Sequence, residues 1–154
     1  MNPKITPYLW YDADPREVIA HYSSIFDNFE VVSEMPGLDG RPIGATVRLD
    51  GVEYVLFQGG PGFPQTEAFS LMIHTDDQEQ TDRYWDALIA DGGQPSQCGW
   101  LKDKFGVSWQ VTPRLLLDYL SSEDSAAQKR AVDAMMKMQK IDIAELQAAY
   151  EANG

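Results

Sequence analysis

The sequence sets out one succession of patterns twice, on either side of the Gly/Pro-rich run GGPGFPQTE at residues 59–67. That repetition constrains the fold more than any composition figure does. Residues 5–11 mix β-branched and aromatic types, as a strand does. Asp14-Pro15-Arg16-Glu17 then spells a helix start, with Asp as N-cap, Pro in the first position and Glu two residues later. Val18, Ile19, Tyr22, Ile25 and Phe26 follow at spacings that give this helix one apolar face. Strands are expected near 29–35, 43–49 and 52–58, the last two flanking Asp50-Gly51, a strong hairpin signal. The first half therefore reads β-α-β-β-β.

After the joint the order begins again. Residues 68–75 form a strand pattern, and Asp76-Asp77 cap a helix running to about residue 90. Gly92-Gly93 end it, and 94–96 make a weak strand. CGWLKDKFGVSWQVTP, residues 98–113, then reads as two short strands around a tight turn at 102–106. One such half exposes a sheet face that a second can cover. The tail is helical: a polar, Ala-rich segment from Ser122 leads to Ala131, Val132, Met135, Met136 and Met138. Asp142-Ile143-Ala144-Glu145 starts a last helix. The Met-rich stripe at Met135, Met136 and Met138 suits core or dimer packing. The expected fold class is α+β, with a paired βαβββ domain over 1–114 (modules at about 3–60 and 66–114) and a C-terminal helical extension over 115–154.

A chain of 154 residues with 44% hydrophobic content can bury one good core. Its net charge of −12 argues against nucleic acid and anionic membranes, which need clustered Lys and Arg. Cys98 is the single cysteine, leaving no internal disulfide and no cysteine-built zinc site. No apolar run has signal-peptide or membrane-spanning length, so a cytoplasmic location is expected.

Tandem β-α-β-β-β units with DKFGVSW near the end of the second resemble the vicinal-oxygen-chelate superfamily of glyoxalase I, bleomycin-resistance proteins and extradiol dioxygenases. PYLWYD (7–12), HYSSIF (21–26), GGPGFPQTEAFSLMI (59–73) and CGWLKDKFGVSWQVTP (98–113) carry a closer resemblance to its PhnB-like branch. That branch is often labelled 3-demethylubiquinone-9 3-methyltransferase. The resemblance implies a curved eight-stranded mixed sheet around a cleft, usually within a homodimer. Metal-using members place four His, Glu or Gln ligands on cleft-facing strands. Carried over, those positions fall at Pro7, at Leu56 or Gln58, at Ser70 and at Gln110.

Proline and leucine offer no donor atom and serine only a neutral hydroxyl, whereas a catalytic metal takes about three firm ligands. Two neutral amides, Gln58 and Gln110, remain, and no metal and no cofactor is expected. GGPGFP has two prolines and no following helix, which argues against a dinucleotide loop, and no strand-to-helix glycine turn suits S-adenosylmethionine. Strand alternation extends the implied cleft positions to a ligand-binding set: Pro7, Leu9, Tyr11, Leu56, Gln58, Ser70, Met72, His74, Trp100, Ser108 and Gln110. Such a lining is aromatic, uncharged and hydrogen-bonding, suited to a small, partly apolar ligand. The expectation is a metal-free binding protein. The alternative is a lyase, isomerase or dioxygenase with a loosely held divalent ion on Gln58, Gln110 and His74. A homodimer with clefts shared between its chains is the expected assembly.

Overall fold

The computed structural model describes residues 3–153. The chain divides into two compact units, Met1–Gln65 and Thr66–Gly154. Unit 1 contains β1 (Tyr8–Tyr11), α1 (Pro15–Ile25), β2 (Phe29–Pro36), β3 (Pro42–Leu49) and β4 (Val52–Gln58). Unit 2 repeats the order as β5 (Ser70–Thr75), α2 (Gln78–Ile89), β6 (Gln94–Pro95), β7 (Trp100–Lys102) and β8 (Ser108–Pro113). It continues through α3 (Arg114–Leu120), α4 (Ser125–Met135) and α5 (Ile143–Glu151). The expected α+β class and doubled βαβββ order are present.

Each unit holds a four-stranded mixed sheet, in the orders β1-β4-β3-β2 and β5-β8-β7-β6. In each, the first and last strands of the module pair in parallel and the remaining pairs are antiparallel. Parallel neighbours cannot be joined by a hairpin, so the helix and two strands between them form the crossover.

Local chemistry sets the elements of unit 1. The Asp14 side chain accepts from the Arg16 amide at 2.9 Å, and Pro15 occupies the first turn of α1. Asp50 and Gly51 both have positive φ, 49° and 83°, the geometry of a tight hairpin turn. Val18, Tyr22 and Ile25 of α1 are buried, as are Leu9, Tyr11, Ala45, Val47 and Leu56 on the sheet. The Tyr11 and Tyr22 hydroxyls lie 3.0 Å apart, which fixes the face of the sheet that α1 covers.

The cap has a pH signature. The Arg16 side chain, hydrogen-bonded to Asp14, and the Arg16 amide lower the Asp14 carboxyl from 3.8 to about 2. A carboxylate depressed in the fold stabilises it above the unfolded value, and loses that contribution as pH falls through the folded value. Asp14 therefore helps fully above about pH 4, and its contribution drains away toward pH 2. Acid unfolding of Asp14→Ala should be flatter across that window. An unchanged slope there would refute the assignment.

In unit 2, Asp77 caps α2 through the Gln80 amide at 2.8 Å, and the Thr75 and Thr81 hydroxyls meet at 2.7 Å. The second contact places α2 on the side of Thr75, hence of its in-phase neighbours Leu71 and Ile73. Trp109 and Val111 pair with those two residues and are buried with Leu101, Trp85 and Leu88. Gly92, at φ 112°, closes a short 3-10 turn after α2, where the Gly-Gly pair predicts an end. The weak strand near 94–96 shrinks to Gln94–Pro95. The helical extension expected over 115–154 opens with α3, which starts directly after β8 and ahead of the Ala-rich segment at Ser122. Its Leu116 and Tyr119, three apart, enter a cluster with Ala131, Met138, Ile141 and Leu146 that joins the three tail helices. Among the described residues no helix is long and apolar enough to cross a membrane.

Candidate functional site

Each sheet has one face against its helix and one face turned away from it. In unit 1 the pairing Leu9↔Leu56 and Tyr11↔Gln58 puts these four residues in phase, on the side of α1. Leu9, Tyr11 and Leu56 are at most 4% exposed, and Tyr11 is bonded to the helix. The alternation expected for this half is therefore one residue out of phase, and these three side chains are core. Pro7 is half-buried and spends its carbonyl on the Val55 amide at 2.9 Å. Gln58 is exposed at the strand end.

The opposite face carries aromatic rings that the sequence reading passed over. Trp10 and Phe57 sit side by side, centroids 5.2 Å apart, and Phe63 from the joint meets Trp10 edge-on at 5.0 Å. Tyr8 extends the row, 5.6 Å from Phe57. The Trp10 indole N–H donates to the Gly60 carbonyl at 2.9 Å, and the Gln65 amide donates to the Trp10 carbonyl at 2.7 Å. Gly59 has no room for a side chain, since a Cβ there would lie about 2.0 Å from the indole ring. The glycine and proline run thus serves as a cradle for Trp10. Tyr8 and Phe63 stay 54% and 68% exposed, an apolar surface of the kind that marks binding sites.

In unit 2 the expected residues lie on the other kind of face. Ser70, Met72 and His74 pair with Ser108, Gln110 and Thr112, on the face away from α2. Trp100 and Lys102 share that face through their pairing with Gln110 and Ser108. The structure brings Ser70 and Gln110 together, the Gln110 amide donating to the Ser70 hydroxyl at 2.9 Å. Met72 is 42% exposed beside them, and His74 is exposed near the strand end. Glu67, Gln94, Ser96, Trp100, Lys102 and Ser108 line a cavity of about 170 Å³. Lys102 pairs with Glu67 at 2.5 Å, and this hydrogen bond holds the Glu67 carboxyl below its ordinary range.

A family model described as 3-demethylubiquinone-9 3-methyltransferase matches residues 3–112. The chain belongs to this family. It is the PhnB-like branch of the vicinal-oxygen-chelate superfamily. The PhnB protein from Bacillus cereus is 31% identical, over 72% of this chain and 99% of that one, with a TM-score of 0.65. PA1353 from Pseudomonas aeruginosa shares the fold at 20% identity, 73% and 98% coverage and a TM-score of 0.58. FosX from Listeria monocytogenes shares it at 13% identity, 79% and 99% coverage and a TM-score of 0.60. Among curated proteins no match is found.

The resemblance puts the superfamily's metal positions at Pro7, at Leu56 or Gln58, at Ser70 and at Gln110. Pro7 has no donor side chain, Leu56 is core, its alternative Gln58 is an exposed neutral amide, and Ser70 and Gln110 are neutral and bonded to each other. Among the described residues no three or more His, Cys, Asp or Glu gather as a metal-ligating group. Such a set does not fit a divalent ion.

Proposed function

We propose that this PhnB-like protein binds a small, partly apolar molecule through stacking, without a metal. The observation that carries this reading is Trp10, held between Phe57 and Phe63 on a face no helix of its unit covers. A fixed indole beside the half-buried Phe57 and the exposed Phe63 accepts a planar ligand with little loss of side-chain freedom. Methyl transfer, in the family's description, gains no support from the glycine run, which connects the strands β4 and β5.

The test is tryptophan fluorescence and thermal shift with a panel of planar aromatic compounds. A binder should quench emission saturably, and stabilise by about 2.7 kcal/mol at a concentration a hundred times its Kd. Trp10→Ala should weaken that binder by about tenfold, the weight of one aromatic contact. Absence of any saturable binder, or full affinity in Trp10→Ala, would overturn the proposal.

A further inference from the structure

The cavity in unit 2 has a polar character that aromatic stacking does not use. Its floor is Ser108, only 1% exposed, whose hydroxyl finds no hydrogen-bond partner among the described residues. A buried hydroxyl left in this way costs free energy, and most are satisfied within the fold. Directly across the β7–β8 pairing stands Lys102, in phase with Ser108. Its ion pair with Glu67 has side chains 38% and 63% exposed. Pairs as open as this contribute little stability and separate readily. Separated, they present one cation and one anion beside an unused hydroxyl, with Trp100 as an apolar wall. The volume of about 170 Å³ equals that of about six water molecules at roughly 30 Å³ each.

We propose that this cavity binds a small zwitterion, an amino-carboxylate no larger than a short amino acid. The ligand carboxylate takes Lys102 and the Ser108 O–H, its ammonium takes Glu67, and its carbon chain lies against Trp100. The charges favour this class over its halves. A plain carboxylate would displace Glu67 and leave two anions side by side in a chain of net charge −12. A plain amine would leave Lys102 without its partner. A zwitterion exchanges one salt bridge for two and adds no net charge.

Calorimetric titration of the full chain with glycine, L-alanine, L-serine and β-alanine, beside propionate and ethylamine, tests this. At least one zwitterion should saturate with a Kd on the order of 1 mM, about tenfold tighter than propionate or ethylamine. Ser108→Ala should weaken it by about tenfold while raising the Tm of the free protein, because the substitution removes an unsatisfied buried group. Glu67→Gln and Lys102→Met should each weaken it comparably. Trp10→Ala should leave it unchanged, which separates this cavity from the aromatic face of unit 1. No saturation by any of the four zwitterions up to about 10 mM, equal binding of propionate, or a lower Tm in Ser108→Ala would each overturn the proposal.

Discussion

Replacing Asp103 by alanine should cost this protein about 3–5 kcal/mol, the largest effect expected of any single substitution in unit 2. Asp103 is 2% exposed and sits at the turn between β7 and β8. Its Oδ1 accepts from the amides of Phe105 and Val107 at 2.9 and 3.1 Å. Its Oδ2 accepts the indole N–H of Trp109, itself buried, at 2.8 Å. One carboxylate thus satisfies three donors, and a hydrogen bond to a charged group contributes about 1.5–3 kcal/mol. Alanine would strand the buried Val107 amide and Trp109 indole N–H and leave the half-buried Phe105 amide without its partner. The loss is a large share of a total stability of about 5–15 kcal/mol. Asp103→Asn keeps a carbonyl but turns an NH₂ toward one side of the donor set, so it should recover only about half. Urea denaturation, with near-ultraviolet circular dichroism on the Trp109 environment, measures both. A midpoint shift worth less than about 1 kcal/mol for Asp103→Ala would show that the turn does not rest on this side chain.

That result bears on function, because the hairpin Asp103 ties together presents Trp100, Lys102, Ser108 and Gln110 on its other face. The stretch DKFGVSW, which carries much of the family resemblance, is therefore understood as architecture. Asp103 folds the turn, Gly106 takes φ 86° within it, and Val107 and Trp109 enter the core. A binding experiment on Asp103→Ala would report the loss of the hairpin before any direct contact.

The course of the chain was legible because its signals are local. Asp14 before Pro15, Asp50 before Gly51 and Gly92 after α2 each act within a few residues, and each terminates or starts the element it should. The start of α3 was less legible, since Arg114–Leu120 carries no polar cap and follows a strand without a break. Cleft direction is a different kind of fact. Alternation determines which residues of a strand share a face, but not which of the two faces meets the helix. In unit 2 the carried-over positions Ser70 and Gln110 fall on the face away from α2. In unit 1 the phase taken from Pro7 falls on the helix side, where Leu9, Tyr11 and Leu56 are core, while Trp10 and Phe57 take the open face. The usable signal was Tyr22, a helix residue whose hydroxyl needed a partner and found it on Tyr11. The charged pair Glu67–Lys102 was invisible for another reason: thirty-five residues separate its members, and only the fold brings them together.

The tail offers the second large effect, because it is built into unit 2 rather than appended to it. The amides of Cys98 and Gly99 donate to the carbonyls of Met138 and Gln139, at 2.8 and 2.7 Å, so the segment before α5 runs against the start of β7. Gln78 of α2 clamps the next turn, donating to the Ile141 carbonyl at 3.0 Å and accepting from the Ile143 amide at 2.8 Å. Between these contacts Ile141 is fully buried, packed so closely on Gly99 that a Cβ there would lie 3.2 Å from its Cγ1. Ile141→Ala removes three carbons from this site and leaves a cavity whose walls are fixed by hydrogen bonds on both sides. Walls of that kind relax little, so the cost should fall near about 3 kcal/mol, within the range for buried aliphatic truncation. Hydrogen exchange locates the loss. Amides of Cys98 and Gly99, and those of β7 and β8, should exchange faster by about two decades if they open only with the whole unit. An unchanged denaturation midpoint with faster exchange confined to α5 would mean that the tail frays independently of the sheet.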